Sequence, residues 1–225
     1  MSFTLKEIFS DFVDSYNAEA SNPNWQKEVL KTYSYPTVHQ LDQEPLNLIQ
    51  PALETGPWIA GGACLHWYQG LPTGNSDIDV FCKNAVQAAE LIKKIKSYGR
   101  YSTKFESENA VTLDYRSHDS SSGVEHWTIQ VITKRYYNSL EEVINNFDVT
   151  VCQIGTAGEE YVMGDWTARD IRERNLRMNI PLQADALKRL TKYWTYGYRP
   201  VDGLLEAIQN NPVARWEFNP NEDYS

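Results

Sequence analysis

Residues 58–81 read WIAGGACLHWYQGLPTGNSDIDVF, and the paired aspartates near the end of this stretch restrict the fold more than any other feature. In SDIDVF, residues 76–81, acids and aliphatics alternate with the period of a strand. Asp77 and Asp79 are therefore expected on one face, while Ile78 and Val80 enter a core. Two carboxylates held side by side repel each other and are costly unless a cation lies between them. A hard divalent ion with oxygen ligands, Mg²⁺ or Mn²⁺, is the natural neutraliser, and such ions are usually completed by substrate phosphates. The plain alternative is a strand end with two solvated acids, which leaves the glycine pair upstream unaccounted for.

Gly61 and Gly62 remove two side chains where backbone can approach a ligand closely, and ACLHWY after them reads as the start of a helix whose first amides could face an anion. A lone Gly-Gly usually marks only a turn. Followed a dozen or so residues later by Asp-aliphatic-Asp-aliphatic, it pairs a phosphate cradle with a place for the metal that travels with phosphate.

The rest of the chain supplies helices before and after a mixed segment. Thr4 and Glu7 form a capping-box pattern ahead of Leu5, Ile8, Phe9, Phe12, Val13 and Tyr16 at helical spacing. A second helix is expected from Asn22 and Pro23 through Trp25, Val29, Leu30 and Tyr33. Pro36, Pro45 and Pro51 break the next segment into a loop or short helical turns. Asn84 and Gly99 bracket a helix, NAVTLDYR and EHWTIQVIT read as strands, and Ser139 with Glu142 opens another capped helix. DVTVCQIG reads as a further strand, and everything after Gly164 reads as helix. The expected class is α+β, a small mixed sheet flanked by helices. Its expected parts are an N-terminal helical segment 1–55, a core 56–163 and a C-terminal helical region 164–225.

The glycine pair followed by SDIDVF resembles the signature of the DNA polymerase beta-like nucleotidyltransferase superfamily, which includes poly(A) polymerases, CCA-adding enzymes and antibiotic nucleotidyltransferases. The resemblance covers roughly residues 56–155, with a somewhat longer interval between Gly62 and Asp77 than the family pattern has. It implies a metal-dependent transfer of a nucleoside monophosphate from a nucleoside triphosphate, ATP among them, to a hydroxyl acceptor such as RNA, a nucleotide, a protein or a small molecule. It also implies that Asp77 and Asp79 are metal ligands and catalytic, and that Gly61, Gly62 and Ser76 lie against the nucleotide.

The superfamily normally adds a third carboxylate from a neighbouring strand. In WTIQVIT the central polar position is Gln130, a neutral and poorer ligand, whereas Asp148 in NNFDVTVCQIG offers an acid at the head of the next expected strand. Asp148 is the preferred third ligand. The combination of IQVI and FDVTVCQ also resembles uncharacterised nucleotidyltransferase-like proteins of large viruses and phages. If Gln130 instead marks a lost acid, the fold would be a degenerate one kept as a nucleotide-binding or regulatory module.

Charge is distributed unevenly. The formal net charge is −9, which argues against a whole surface made for duplex nucleic acid. Residues 169–199, however, hold eight Lys or Arg against three acids. In ALKRLTKYWTYGYRP, Arg189, Lys192, Tyr193 and Tyr196 recur at helical spacing, so a cation could reach outer phosphates and a ring could meet a base. Stacked aromatics at that spacing are more often packed inside. Arg169, Arg172 and Arg177 are weaker candidates for holding an acceptor, and a solvated helix face with a few ion pairs is the competing reading.

Other signals are exclusions. Neither a G-x-x-x-x-G-K-[ST] loop nor a G-x-G-x-x-G turn occurs, and the histidines lack metal-ligand spacing. Of these only His66 falls near the glycine pair. Cys64, Cys82 and Cys152 are odd in number and scattered, as expected of a reduced, cytoplasmic protein. The N-terminus mixes acids with apolar residues, unlike a signal peptide, and no apolar run approaches membrane-spanning length, so no membrane partner is expected.

Overall fold

The computed structural model describes residues 43–71, 73, 76–115, 127–157, 161–178 and 186–210. The two expected N-terminal helices and the loop SHDSSSG lie outside the described residues. The chain divides into two compact units, one from residues 33–147 and 152–165, the other including 148–151 and 166–224.

The first unit is built on a seven-stranded mixed sheet of order β3-β4-β5-β2-β1-β6-β7. Its strands are β1 Trp58–Ala60, β2 Ile78–Phe81, β3 Tyr101–Glu106, β4 Ala110–Tyr115, β5 Thr128–Ile132, β6 Ile154–Thr156 and β7 Tyr161–Met163. Only β2 and β5 run parallel; every other pair is antiparallel. Helices α1 Gln43–Ile49, α2 Gly62–Tyr68, α3 Ala85–Ser97 and α4 Leu140–Asn145 complete the unit. The α+β expectation is thus met, with a mixed sheet and flanking helices.

Local signals explain the helix ends. The Asn84 side chain accepts from the Gln87 amide at 2.9 Å, and Gly99 follows the α3 C-terminus with φ +76°. Ser139 Oγ accepts from the Glu142 amide at 3.2 Å, while the Glu142 carboxylate turns back to the Asn138 amide at 2.9 Å. Together these bonds satisfy two amides at the start of α4. The cap holds α4 on the sheet, where Leu140, Val143 and Ile144 pack on Trp58, Ala60, Phe81 and Tyr137. Ser139→Ala should lower stability by about 1 kcal/mol, read from the midpoint of urea unfolding with an unchanged slope.

DVTVCQIG differs from its expected strand. Val149 makes a single bridge to Met178, residues Thr150–Cys152 form a 3-10 turn, and only Ile154–Thr156 joins the sheet. The cause is at Thr150, whose amide donates to Arg177 O at 3.0 Å and whose carbonyl accepts from Thr167 Oγ1 at 2.9 Å. With both backbone groups engaged in this way, Thr150 cannot continue a ladder.

The second unit contains α5 Thr167–Glu173, α6 Ala186–Thr195 and α7 Leu204–Gln209, so helices do occur after Gly164 among the described residues. It also contains a pairing that the helical reading lacks: β8 Asn175–Leu176 lies parallel to β9 Arg199–Pro200. β7 belongs to the first unit and was likewise not legible as a strand.

Candidate active site

In β2, Ile78 and Val80 are fully buried while Asp79, and Asp77 just ahead of the strand, are half-buried. This is the alternation expected from SDIDVF. Phe81 lies on the face that carries α4, and Asp79, two residues away, shares that face. Phe147 meets Phe81 edge-on there, ring centroids 5.8 Å apart. Asp79 therefore stands at the rim of an aromatic floor.

Gly61 completes that rim. Its amide donates to Ile154 O at 2.9 Å, which ties the end of β1 to β6, and the chain then turns sharply into α2 with φ +90°. A Cβ at Gly61 would lie 2.9 Å from the Phe147 ring and 3.7 Å from Asp79 Oδ2. Only glycine both adopts this backbone and leaves room for the ring. Around Gly62 the space is open, and a methyl added there would meet nothing within 4 Å. The glycine pair thus splits its duties, Gly61 serving the fold and Gly62 presenting bare backbone.

Beside Asp79, on the parallel neighbour β5, the register partner is Gln130. Gln130 Nε2 donates to Thr112 Oγ1 on β4 at 3.3 Å. A further carboxylate, Asp114 on β4, has no motif around it to announce it. It accepts from Thr128 Oγ1 at 2.8 Å and pairs with Lys104 at 3.5 Å. β4 is two strands from β2, about 10 Å at usual strand spacing, so Asp114 and Asp79 are too far apart to share one ion directly.

The cysteines of this unit are packed inside it. All three are buried. The Cys64 thiol is pushed well up, first by burial and then by the charge of Asp79, and burial pushes Cys82 up to about 12. His66 Nδ1, on α2, lies 3.2 Å from Thr73 O, and Ser76 is half-buried.

The second unit brings two of the remaining candidates together. Arg189 Nη1, on α6, donates to Asp148 Oδ1 at 2.7 Å, and Asp148 is only 7% exposed. α6 turns Ala186, Leu190 and Tyr193 inward, where the Tyr193 ring meets those of Tyr196 and Tyr198 edge-on, whereas Lys192 is exposed. Tyr193 is thus packed as a core ring. Arg169 and Arg172 share Glu173, and Arg177 pairs with the fully buried Asp170. Among the described residues no group of three or more His, Cys, Asp or Glu is placed to hold a metal ion.

The seven-stranded mixed sheet with its flanking helices is a nucleotidyltransferase-like fold. The structure is similar to the Thermotoga maritima CCA-adding enzyme complexed with tRNA, with a TM-score of 0.50 and 16% identity, over 82% of this chain and 45% of that one. This chain therefore spans less than half the length of that enzyme. The chain belongs to Gad2, the Gabija anti-defense 2 family, whose model matches residues 4–174. No curated protein matches it.

Proposed function

We propose that this chain is a metal-dependent nucleotidyltransferase that moves a nucleoside monophosphate from a nucleoside triphosphate to a hydroxyl acceptor, and that it uses this activity against the Gabija defence its family is named for. The observation that carries the reading is the β2 face, where Asp77 and Asp79 alternate with buried aliphatics and the bent backbone of Gly61 stands beside Asp79. Two half-buried carboxylates give hard oxygen donors, a set that suits Mg²⁺ or Mn²⁺ better than a soft-ligand metal. Asp77 and Asp79 would hold the ion, with Asp148 as the third acid. Bound there, the ion would neutralise charge on the triphosphate and acidify the acceptor hydroxyl.

The chain's own groups do the remaining work. Bare backbone at Gly62 admits a phosphate closely, and Ser76 offers a hydroxyl next to Asp77. Arg189 and Lys192 would supply cations for the outer phosphates, with Tyr193 supporting the helix that carries them. The likeness to an enzyme complexed with tRNA favours an RNA acceptor. Among the described residues no helix is long and apolar enough to cross a membrane, and the buried thiols suit a reduced cytoplasm.

Gln130 favours a second reading. An amide at the register position beside Asp79, hydrogen-bonded to Thr112, is what a degenerate nucleotide-binding module would retain. The enzyme and a nucleotide-binding module both require a nucleotide at Asp77 and Asp79, whereas a purely regulatory module does not. Mg²⁺ with ATP or another triphosphate should raise the melting temperature by about 5 °C or more at a hundred times Kd. Asp77→Asn with Asp79→Asn should abolish that rise; an undiminished metal-dependent rise in the double variant sinks the site. Transfer of labelled nucleotide to total RNA then establishes the enzyme, and absence of transfer to RNA, nucleotide, protein and small-molecule acceptors alike establishes the module.

A further inference from the structure

A second patch, in the other unit, is built around an exposed tryptophan. Trp166 immediately precedes α5 and is 45% exposed. The Arg177 guanidinium carbon lies 4.4 Å from its ring centroid and that of Arg169 lies 5.7 Å away. Those two distances together cap the separation of the guanidinium carbons at about 10 Å, so both cations serve one small area.

The patch is held from beneath. Asp170, fully buried, accepts from Thr150 Oγ1 at 2.7 Å and from Arg177 Nε at 3.3 Å. A buried carboxylate fixes Arg177 in place, so its plane is set against the indole rather than left to wander. Arg169 and Arg172 reach the same Glu173, one acid for two cations, and the whole stretch 169–199 carries an excess of positive charge in an otherwise acidic chain. A partly exposed indole with guanidinium groups over its ring matches the chemistry of unpaired bases on a phosphate chain, which stack on aromatic and guanidinium planes and seek cations.

We propose that Trp166, with Arg169 and Arg177 against its ring, docks a single strand of nucleic acid, a base stacking at the indole and phosphates meeting the arginines. As the place of an acceptor it rests on the transferase reading; as a binding site it stands without it.

The test uses the full chain, EDTA, no nucleotide, and a fluorescein-labelled twelve-nucleotide single-stranded RNA followed by anisotropy. The wild type should bind saturably and more weakly as salt rises. Trp166→Ala should weaken binding roughly tenfold, and Trp166→Phe, which keeps a ring, should lose less. Arg169→Ala, a side chain more than half exposed that leaves the Asp170 pair intact, should flatten the slope of log K against log salt by about 0.7. Far-UV circular dichroism and melting curves establish that each variant is folded. The proposal is overturned by absence of saturable binding, by wild-type affinity in Trp166→Ala, or by duplex RNA competing as well as the single strand, the last outcome pointing to a general polyanion surface. Because EDTA prevents transfer, RNA binding without later transfer to RNA would keep this site and remove RNA as the acceptor, and transfer to RNA without binding here would keep the enzyme reading and remove this site.

Discussion

Asp148→Asn is expected to slow nucleotide transfer by roughly 10²-fold or more while leaving triphosphate binding largely intact, because Asp77 and Asp79 can still hold the ion that arrives with the nucleotide. The structure gives Asp148 a competing duty, the 2.7 Å ion pair with Arg189. Losing one member of a well-buried pair is costly, and since the Arg189 side chain is 41% exposed the cost here is discounted to about 1–2 kcal/mol. Arg189→Gln separates the duties, since it breaks the same pair and keeps the carboxylate. If Asp148 holds the nucleophile-side ion, Asp148→Asn falls in kcat, whereas Arg189→Gln, losing a cation for the phosphates, rises in KM. If Asp148 merely anchors α6, the two variants lose stability alike and neither loses kcat at saturating triphosphate. Gln130→Ala should be mild in both parameters. Loss of transfer in Gln130→Ala with retention in Asp148→Asn moves the third ligand to β5.

What was legible in the sequence was what a short window encodes. SDIDVF placed Asp77 and Asp79 on one face because a strand alternates with period 2, and Asn84, Ser139 and Gly99 announced helix ends because a cap is a bond between near neighbours. The missing elements lacked such a signal. β3, YSTKFE, is an edge strand exposed at all but its first residue, so no apolar alternation marks it. β8 and β9 are two residues each and form only through a pairing across more than twenty positions. DVTVCQIG looked like a strand since its apolar pattern is right, but the chain is diverted at Thr150 by Thr167 and Arg177.

The site divided in the same way. That Gln130 stands beside Asp79 is a fact of register between β2 and β5, and that Arg189 meets Asp148 is a contact across 41 residues. Neither is written in local spacing. The residue types were visible; their partners were not.

The second large effect expected is on stability, from one methyl group at Gly155. This residue lies on β6 opposite Ala60 of β1, and a Cβ there would sit 2.6 Å from Leu140 Cδ1, 2.9 Å from the carbonyl oxygen of Ile59 and 3.2 Å from Ala60 Cβ. Leu140 could shift, but a sheet carbonyl cannot without breaking its ladder, and Leu140 is the residue by which the capped helix α4 enters the core. Overpacking of this kind costs about 1–3 kcal/mol, and the fixed backbone oxygen places Gly155→Ala at or above the upper end. Gly61→Ala should follow closely: its φ of +90° puts it in backbone territory that costs a residue with a Cβ about 1–3 kcal/mol, with the Phe147 ring crowding it further. Gly62→Ala should unfold like the wild type, since its added methyl meets open space and alanine favours the helix it opens. Urea unfolding of the three variants should therefore rank Gly155→Ala and Gly61→Ala well below the wild type and Gly62→Ala beside it. A wild-type midpoint for Gly155→Ala contradicts the packing of α4 on the sheet. Because Gly62→Ala stays folded, its thermal response to Mg²⁺ with a triphosphate reports on contact alone, and a weakened response there is the expected mark of a phosphate lying against bare backbone.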